Sequence, residues 1–106
     1  MTAGAAELLK YYHNAFGALR VVFANEMYEM SKRMGIDYTK LKKGLLKTSG
    51  LPDQYLDVNE NMRGYVSKCW DKDVPALIAM AKELGVDAPI LNQIPVANSL
   101  YKGTKA

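Results

Sequence analysis

Apolar side chains recur at helical spacing along the first third of the chain. No proline interrupts residues 3–34, and Gly35 follows as a residue that favours the left-handed conformation found after helix ends. The pattern predicts one helix over about residues 3–34. At ~1.5 Å per residue it would approach ~50 Å, longer than a small domain is wide, so we expect it to form a homodimer by packing against a second copy. The recurring apolar positions are Leu8, Leu9, Tyr12, Ala15, Phe16, Leu19, Phe23, Met27, Met30 and Met34.

Three shorter helices are predicted in the rest of the chain, and no strand. Asp37 is a suitable N-cap for the second helix. Asp73 marks the start of the third, with Pro75 in its first turn and Gly85 after its end. The fold class is therefore all-α, as a single domain over residues 1–106. The predicted helices cover about residues 38–47, 74–84 and 89–102, with a long loop over 48–72.

Composition is typical of a single-domain globular protein and excludes several other classes. The chain has 106 residues, a formal net charge of +3 and an apolar fraction of 49%. Four lysines between Lys40 and Lys47 are too dispersed for a nucleic-acid footprint, although a small basic nucleic-acid binder is kept as the weakest alternative. One Cys and one His argue against a zinc site, and a lone Cys fits a reducing, cytoplasmic setting. No apolar run has transmembrane length, so we expect no metal, no nucleic acid and no membrane partner.

Two short segments contain the side chains that could take part in catalysis. Lys10 and Asn14 are four residues apart, so a helix presents them one turn apart on one face. Cys69 is predicted to lie in the loop before the third helix, between two lysines, where positive charge and a helix N-terminus favour a reactive thiol. Each residue also has an explanation that involves no catalysis. Lys10 could be an exposed lysine and Asn14 a neutral amide. Cys69 could be a buried thiol that packs as a small hydrophobe, and Asp73 could be an N-cap.

These residues belong to two sequence motifs that occur in the order and separation of a known family. The first is AELLKYYHNAF at residues 6–16, followed by Asn-Glu at 25–26. The second is GYVSKCWDKDV at residues 64–74. Together they resemble the central helical domain of the UDP-glucose/GDP-mannose dehydrogenase family, and the resemblance extends over nearly the whole chain.

The resemblance implies a reaction and a role for each matching catalytic residue. Members of the family oxidise the C6 alcohol of a nucleotide sugar to a carboxylate in two NAD⁺-dependent steps. By resemblance, Cys69 is the nucleophile that forms a thiohemiacetal and then a thioester. Lys10 and Asn14 stabilise the alkoxide or oxyanion. Asp73 assists proton transfer and the water that hydrolyses the thioester.

The resemblance also implies binding roles and partners. Lys72 is assigned to the cofactor, and Gly64 and Tyr65 are assigned to the nucleotide-sugar substrate. The family dimerises through its long central helix, which agrees with the dimer expected from the apolar pattern. No Gly-x-Gly-x-x-Gly follows a predicted strand, so we expect the flanking nucleotide-binding domains of the family to be absent from this sequence. We therefore expect NAD to be bound mainly by another part of a full-length enzyme, and no activity from this chain alone.

Several positions depart from the family pattern and favour a second interpretation. Val66 and Ser67 replace paired glycines, and side chains there narrow the approach to a substrate. Asp71 places a negative charge two residues from the thiol. Arg63 is misplaced for the substrate-facing arginine of the family. The alternative is a helical homodimerisation or interaction module whose catalytic residues are vestigial.

Overall fold

The structure, a computed structural model, describes all 106 residues and contains four helices and no strand. The predicted all-α class is confirmed. The bounds of α1, α2 and α4 lie within two residues of those predicted. No helix is both long and apolar enough to cross a membrane. The helices are α1 Ala3–Arg33, α2 Tyr38–Ser49, α3 Lys68–Glu83 and α4 Pro89–Tyr101.

Helix α1 runs the full length of the molecule. At ~1.5 Å per residue its length is about 47 Å, and the longest dimension of the chain is 46 Å. Thr2 begins the helix, because its Oγ1 accepts a hydrogen bond of 3.1 Å from the Ala5 N–H. Gly35 follows its end with φ of 71°, as predicted. Asp37 then caps α2, accepting a bond of 2.9 Å from the Thr39 N–H, also as predicted.

The other three helices all pack against α1. Helices α3 and α4 also contact each other, whereas α2 contacts α1 alone. Gly17 lets α3 approach closely, because a Cβ at this position would lie 2.8 Å from the Trp70 ring. The apolar core between α1, α3 and α4 is small and consists of Ala15, Ala18, Val22, Tyr65, Val74 and Ile94.

Helix α3 begins six residues earlier than predicted. Its N-cap is Ser67, whose Oγ accepts from the Trp70 N–H at 3.3 Å, so Asp73 is not the N-cap. Pro75 therefore lies inside the helix and removes one backbone hydrogen bond. Trp70 packs on α1, and Asp73 accepts a hydrogen bond from α1. These tertiary contacts stabilise helical residues 68–73, which the sequence signals at Asp73 and Pro75 had placed before the helix.

The connection between α2 and α3 covers residues 50–67, shorter than the predicted 48–72. Arg63, which is 4% exposed, joins it to α1. Its Nε and Nη2 donate to Asn25 Oδ1 and to the Asn25 carbonyl at 2.8 and 3.2 Å, and its Nη1 lies 3.1 Å from Glu29 Oε2. The rings of Tyr28 and Tyr101 lie 4.8 and 4.9 Å from its Cζ. Arg63 is thus a buried structural contact, consistent with its displacement from a substrate-facing position.

Candidate functional site

The structure joins the two sequence motifs at Asp73, which is 2% exposed. Asn14 Nδ2 on α1 donates a hydrogen bond of 2.7 Å to Asp73 Oδ2 on α3. Lys10 Nζ lies 3.9 Å from the same oxygen, and Lys72 Nζ lies 3.5 Å from Oδ1. Four of the residues singled out in the sequence therefore form one polar cluster between α1 and α3.

The Asp73 carboxyl has a lowered pKa although it is buried. Burial by itself raises the pKa of a carboxyl group, because a charge is less stable away from water. The hydrogen bond from Asn14 and the positive charges of Lys10 and Lys72 outweigh burial and bring the pKa below its ordinary value. Asp73 is therefore a carboxylate at neutral pH. A weakly basic carboxylate is better suited to orienting donors or a water molecule than to accepting a proton.

Cys69 lies in the first turn of α3, and the prediction that it lies in the loop before that helix is wrong. The positive end of the helix dipole is therefore adjacent to the thiol. Cys69 is exposed, contrary to the alternative of a buried structural thiol. Asp73 is four residues further along, one turn away on the same face of α3. The structure thus presents an accessible thiol one helical turn from the polar cluster.

The backbone before the thiol accommodates the side chains that replace the glycines of the family. Neither Val66 nor Ser67 has a positive φ, and Ser67 at φ of −140° is extended. The hydroxyl of Ser67 caps α3, an interaction that glycine cannot make. Asp71 forms an ion pair of 3.0 Å with Lys102, which partly offsets its charge near Cys69.

Gly64 and Tyr65 are held against α4 by Asn98. The Asn98 Oδ1 accepts from the Tyr65 N–H at 2.8 Å, and its Nδ2 donates to the Tyr65 carbonyl at 3.0 Å. Gly64 has φ of 68°, and a Cβ there would lie 2.5 Å from Asn98 Oδ1. The Tyr65 side chain is 5% exposed and packs edge-on against Trp70.

The structure adds His13 to the cluster. The sequence gives it no role, because it is one position from Asn14 and so faces another direction on the helix. Its Nδ1 nevertheless lies 3.4 Å from Asn14 Oδ1. Because Asn14 directs Nδ2 towards the Asp73 carboxylate, its Oδ1 is turned towards the imidazole. A contact between adjacent side chains of one helix depends on rotamers, and helical spacing alone gives no signal for it.

A continuous apolar face lies on the side of α1 opposite to Lys10 and Asn14, next to the contact with α4. Its exposed residues range from Phe16, 47% exposed, to Ile90 on α4, 69% exposed. A groove of about 530 Å³ between α1 and α4 is part of it and is lined almost entirely by apolar side chains. This apolar face comprises Leu8, Tyr12, Phe16, Phe23, Met30 and Ile90.

Comparison with known proteins matches almost all of these residues to one family. The family model for the UDP-glucose/GDP-mannose dehydrogenase family, central domain, matches residues 4–99. That range contains both motifs, the polar cluster and Cys69. No solved structure gives a significant match.

Several curated proteins are similar over the same range. The UDP-glucose 6-dehydrogenase of Pseudomonas aeruginosa strain PAO1 is 32% identical over 97 residues, covering 92% of this chain and 21% of that protein. The GDP-mannose 6-dehydrogenase of Pseudomonas syringae pv. tomato is 34% identical over 96 residues, covering 89% and 21%. The UDP-glucose 6-dehydrogenase TuaD of Bacillus subtilis strain 168 is 29% identical over 94 residues, covering 89% and 20%. The chain thus spans about a fifth of the length of these curated relatives.

Proposed function

Because the chain belongs to the UDP-glucose/GDP-mannose dehydrogenase family, as its central domain, we propose that it is the thiol-bearing and dimer-forming part of an NAD-dependent nucleotide-sugar 6-dehydrogenase. The proposed reaction oxidises the sugar C6 alcohol to an aldehyde and then to a carboxylate. The observation that carries this proposal is the 2.7 Å hydrogen bond between Asn14 and Asp73. It brings the two motifs together one helical turn from the exposed thiol of Cys69.

Each residue of the cluster has a role that its position supports. The Cys69 sulfur would attack the aldehyde carbon, forming a C–S bond while the carbonyl oxygen becomes an alkoxide. The ammonium of Lys10 and the second N–H of the Asn14 amide would stabilise that oxygen, since only one of the two amide protons is used by Asp73. After oxidation to the thioester, a water molecule would cleave the C–S bond and release the carboxylate.

Asp73 would act in this scheme mainly by orientation. Its lowered pKa makes it a weak proton acceptor at neutral pH, while its full negative charge holds the donors of Asn14 and Lys10 in place. The same charge can orient the hydrolytic water through a hydrogen bond. Lys72, on the other side of the carboxylate, is exposed and is kept as the proposed contact to the cofactor.

The four helices do not fit a dinucleotide. Nicotinamide cofactors are usually held by a strand–turn–helix unit with a glycine-rich turn, and the structure contains no strand. The hydride acceptor that both oxidations require, proposed to be NAD⁺, would therefore be held by another part of a longer protein. Gly64 and Tyr65 are kept as the proposed contacts to the nucleotide sugar, and Gly64 is the more accessible of the two.

The first test compares the rate at which iodoacetamide labels Cys69 in the unsubstituted chain and in Lys10→Ala. We expect about two- to fivefold slower labelling in Lys10→Ala at neutral pH, corresponding to ~0.5–1 kcal/mol of a solvent-screened charge interaction. Lys40→Ala, which removes another exposed lysine, on α2, is the control and should label at the original rate. Equal rates in all three proteins would contradict the assembled site.

The second test measures enzymatic turnover in a chimaera. The chain would replace the central domain of the Pseudomonas aeruginosa relative, and formation of NADH from UDP-glucose and from GDP-mannose would be measured. We expect turnover with one of these sugars and none in the Cys69→Ser version of the same chimaera. A folded chimaera that binds the nucleotide sugar and NAD⁺ but forms no NADH, and gains none when Val66 and Ser67 are both replaced by glycine, would refute the catalytic role of Cys69.

The apolar face supports the proposed homodimer. It extends along most of α1, and patches of exposed apolar surface of this kind mark interaction sites. A second copy presents the same face, so pairing about a two-fold axis would cover both copies at once. Sedimentation velocity should show a dimer for the unsubstituted chain and a monomer for Phe16→Glu/Phe23→Glu, with Lys40→Glu as the control. A monomeric unsubstituted chain would refute this part of the proposal.

The vestigial dimerisation module is the second candidate function. Val66, which is exposed two residues before α3, favours it because a side chain in place of glycine would narrow the approach of a substrate. The Val66→Gly/Ser67→Gly variant of the chimaera distinguishes the two candidates. Increased turnover would support an active site that the side chains restrict, and an inactive chimaera that stays inactive would support the vestigial module.

A further inference from the structure

Five consecutive residues of the α2–α3 connection, Asp53–Asp57, are each bound to a helix or to the core, and we call this segment the strap. Its two ends meet at Lys42 on α2. The Lys42 ammonium lies 3.0 Å from Asp53 Oδ2 and also forms an ion pair with Asp57. Lys42 is only 9% exposed, unlike its neighbours in the basic stretch of α2. The ion pairs of this one ammonium with a carboxylate at each end close the strap into a loop.

The backbone of the strap is bound on both sides of its central residue. Arg20 Nη1 on α1 donates to the Gln54 carbonyl at 3.4 Å. The Tyr38 hydroxyl, at the start of α2, donates to the Leu56 carbonyl at 2.6 Å. These two contacts come from different helices, so the strap bridges α1 and α2.

The central residue, Tyr55, is the only non-glycine residue with a positive φ, at 62°. A bulky residue in this left-handed region is strained, and such strain persists only where neighbouring contacts enforce it. The Tyr55 ring packs edge-on against Trp70 with 5.1 Å between centroids. It also lies 3.2 Å from where a Cβ of Gly17 would be. The strap therefore holds a strained Tyr55 against the side chain that joins α3 to α1.

Trp70 links the strap to the thiol. It follows Cys69 in the first turn of α3, and its ring is enclosed by Tyr55, Tyr65 and Gly17. The amide hydrogen bonds of this turn run to Ser67, from the N–H groups of Trp70 and Asp71. If the Trp70 ring became more mobile, the hydrogen bonds of the turn that carries Cys69 would therefore open more often.

We propose that the Asp53–Asp57 strap is a restraining element, closed by the two ion pairs of Lys42, that holds Tyr55 against Trp70 and thereby fixes the thiol-bearing turn of α3. Lys42 is then a positioning residue, acting through the strap and Trp70 on Cys69. The effect of the strap on the reactivity of Cys69 rests on the function proposed above. The restraint of Trp70 by the strap is measured separately, by fluorescence and amide exchange.

The test uses Lys42→Met, which keeps the apolar stem and removes the charge. Trp70 is the only tryptophan, so quenching of its fluorescence by acrylamide reports on the strap directly. We expect stronger quenching and amide exchange about tenfold faster at Trp70 and Asp71, with helix content unchanged by circular dichroism. Cys69 should be labelled more slowly by iodoacetamide, because a frayed first turn no longer holds the thiol at a helix N-terminus.

Lys43→Met, the exposed neighbour without an ion pair, is the matched control and should leave all three readouts unchanged. If Lys42→Met does not fold, Asp53→Asn/Asp57→Asn removes the same ion pairs from the exposed side and should give the same changes. Unchanged quenching and exchange in the folded variant would overturn the strap. Changed quenching with unchanged labelling would overturn the positioning role. Labelling that responds to Lys42→Met but not to Lys10→Ala would refute the proposed function and support the strap.

Discussion

Replacement of the buried Arg63 by alanine should remove a large part of the free energy of unfolding. Asn25, which is 1% exposed, would lose the donor to its Oδ1, and an unsatisfied buried acceptor costs about 1–3 kcal/mol. Loss of the guanidinium from between two tyrosine rings adds about 1 kcal/mol. The ion pair with Glu29 contributes only ~0.5 kcal/mol, because that carboxylate is a third exposed and is screened by water. The sum is about 3 kcal/mol, a fifth or more of the ~5–15 kcal/mol of a typical domain.

Chemical denaturation with urea, monitored by circular dichroism, measures this loss. A destabilisation of about 3 kcal/mol should also lower the melting temperature by roughly 12–24 °C in a chain of this size. Arg63→Lys keeps the charge but not the planar fork, so we expect about half of the loss. Lys43→Ala is the surface control and should stay within about 0.5 kcal/mol of the unsubstituted chain. A loss below about 1 kcal/mol for Arg63→Ala would refute the view that Arg63 holds the connection to α1.

Three further substitutions test single contacts. Gly17→Ala should destabilise by about 1–2 kcal/mol, because its methyl group meets the Trp70 ring, whereas Gly44→Ala, in open space on α2, should stabilise by up to ~1 kcal/mol. Asn98→Ala should cost about 3 kcal/mol, because it leaves two buried backbone groups of the α2–α3 connection without partners. Asp73→Asn should make the stability of the chain less sensitive to acid. Because the pKa of Asp73 is lowered in the folded chain, its carboxylate stabilises the fold above the ordinary pKa of about 3.8, and this stabilisation is lost as the pH falls through the lowered pKa.

Thermal unfolding as a function of pH provides all three measurements. Asn92→Ala, an exposed position on α4, and Asp87→Asn, an exposed carboxylate, are the matched controls. Stabilisation by Gly17→Ala equal to that by Gly44→Ala would contradict the close approach of α3. A pH dependence of Asp73→Asn identical to that of the unsubstituted chain would contradict the lowered pKa of Asp73.

Local signals were sufficient for three of the four helices. Gly35 and Asp37 act through their own backbone or through a residue two positions away, so the sequence contains all that defines the end of α1 and the start of α2. The start of α3 is different. Asp73 and Pro75 form a plausible helix start, yet contacts with α1, distant in sequence, extend the helix back to Lys68. Ser67 is a local signal for the earlier start, but Asp73 and Pro75 are a competing one, and the contacts with α1 decide between them.

The candidate site also has one part that the sequence predicts and another that depends on contacts between distant residues. Lys10 and Asn14 share a face by helical spacing alone, which the sequence predicts. Their proximity to Asp73 came from the family resemblance, because the hydrogen bond spans 59 positions. The strap could not be predicted from periodicity, since it is irregular backbone held by side chains of two helices. The contact of Asn98 with Tyr65 is seen only in the structure, because the two residues are 33 positions apart in the sequence.

Helix α1 separates the candidate site from the proposed partner surface. Asn14 and Phe16 are two residues apart, so they face nearly opposite sides of the helix. On the side of the site, Gly17 and small neighbours let α3 approach closely, and on the other side large side chains stay exposed. Exposed apolar surface of this extent is stable in water when a partner covers it. A second copy on the apolar face would complete that coverage a helix diameter, about 10 Å, from the polar cluster, and so leave Cys69 open to a substrate.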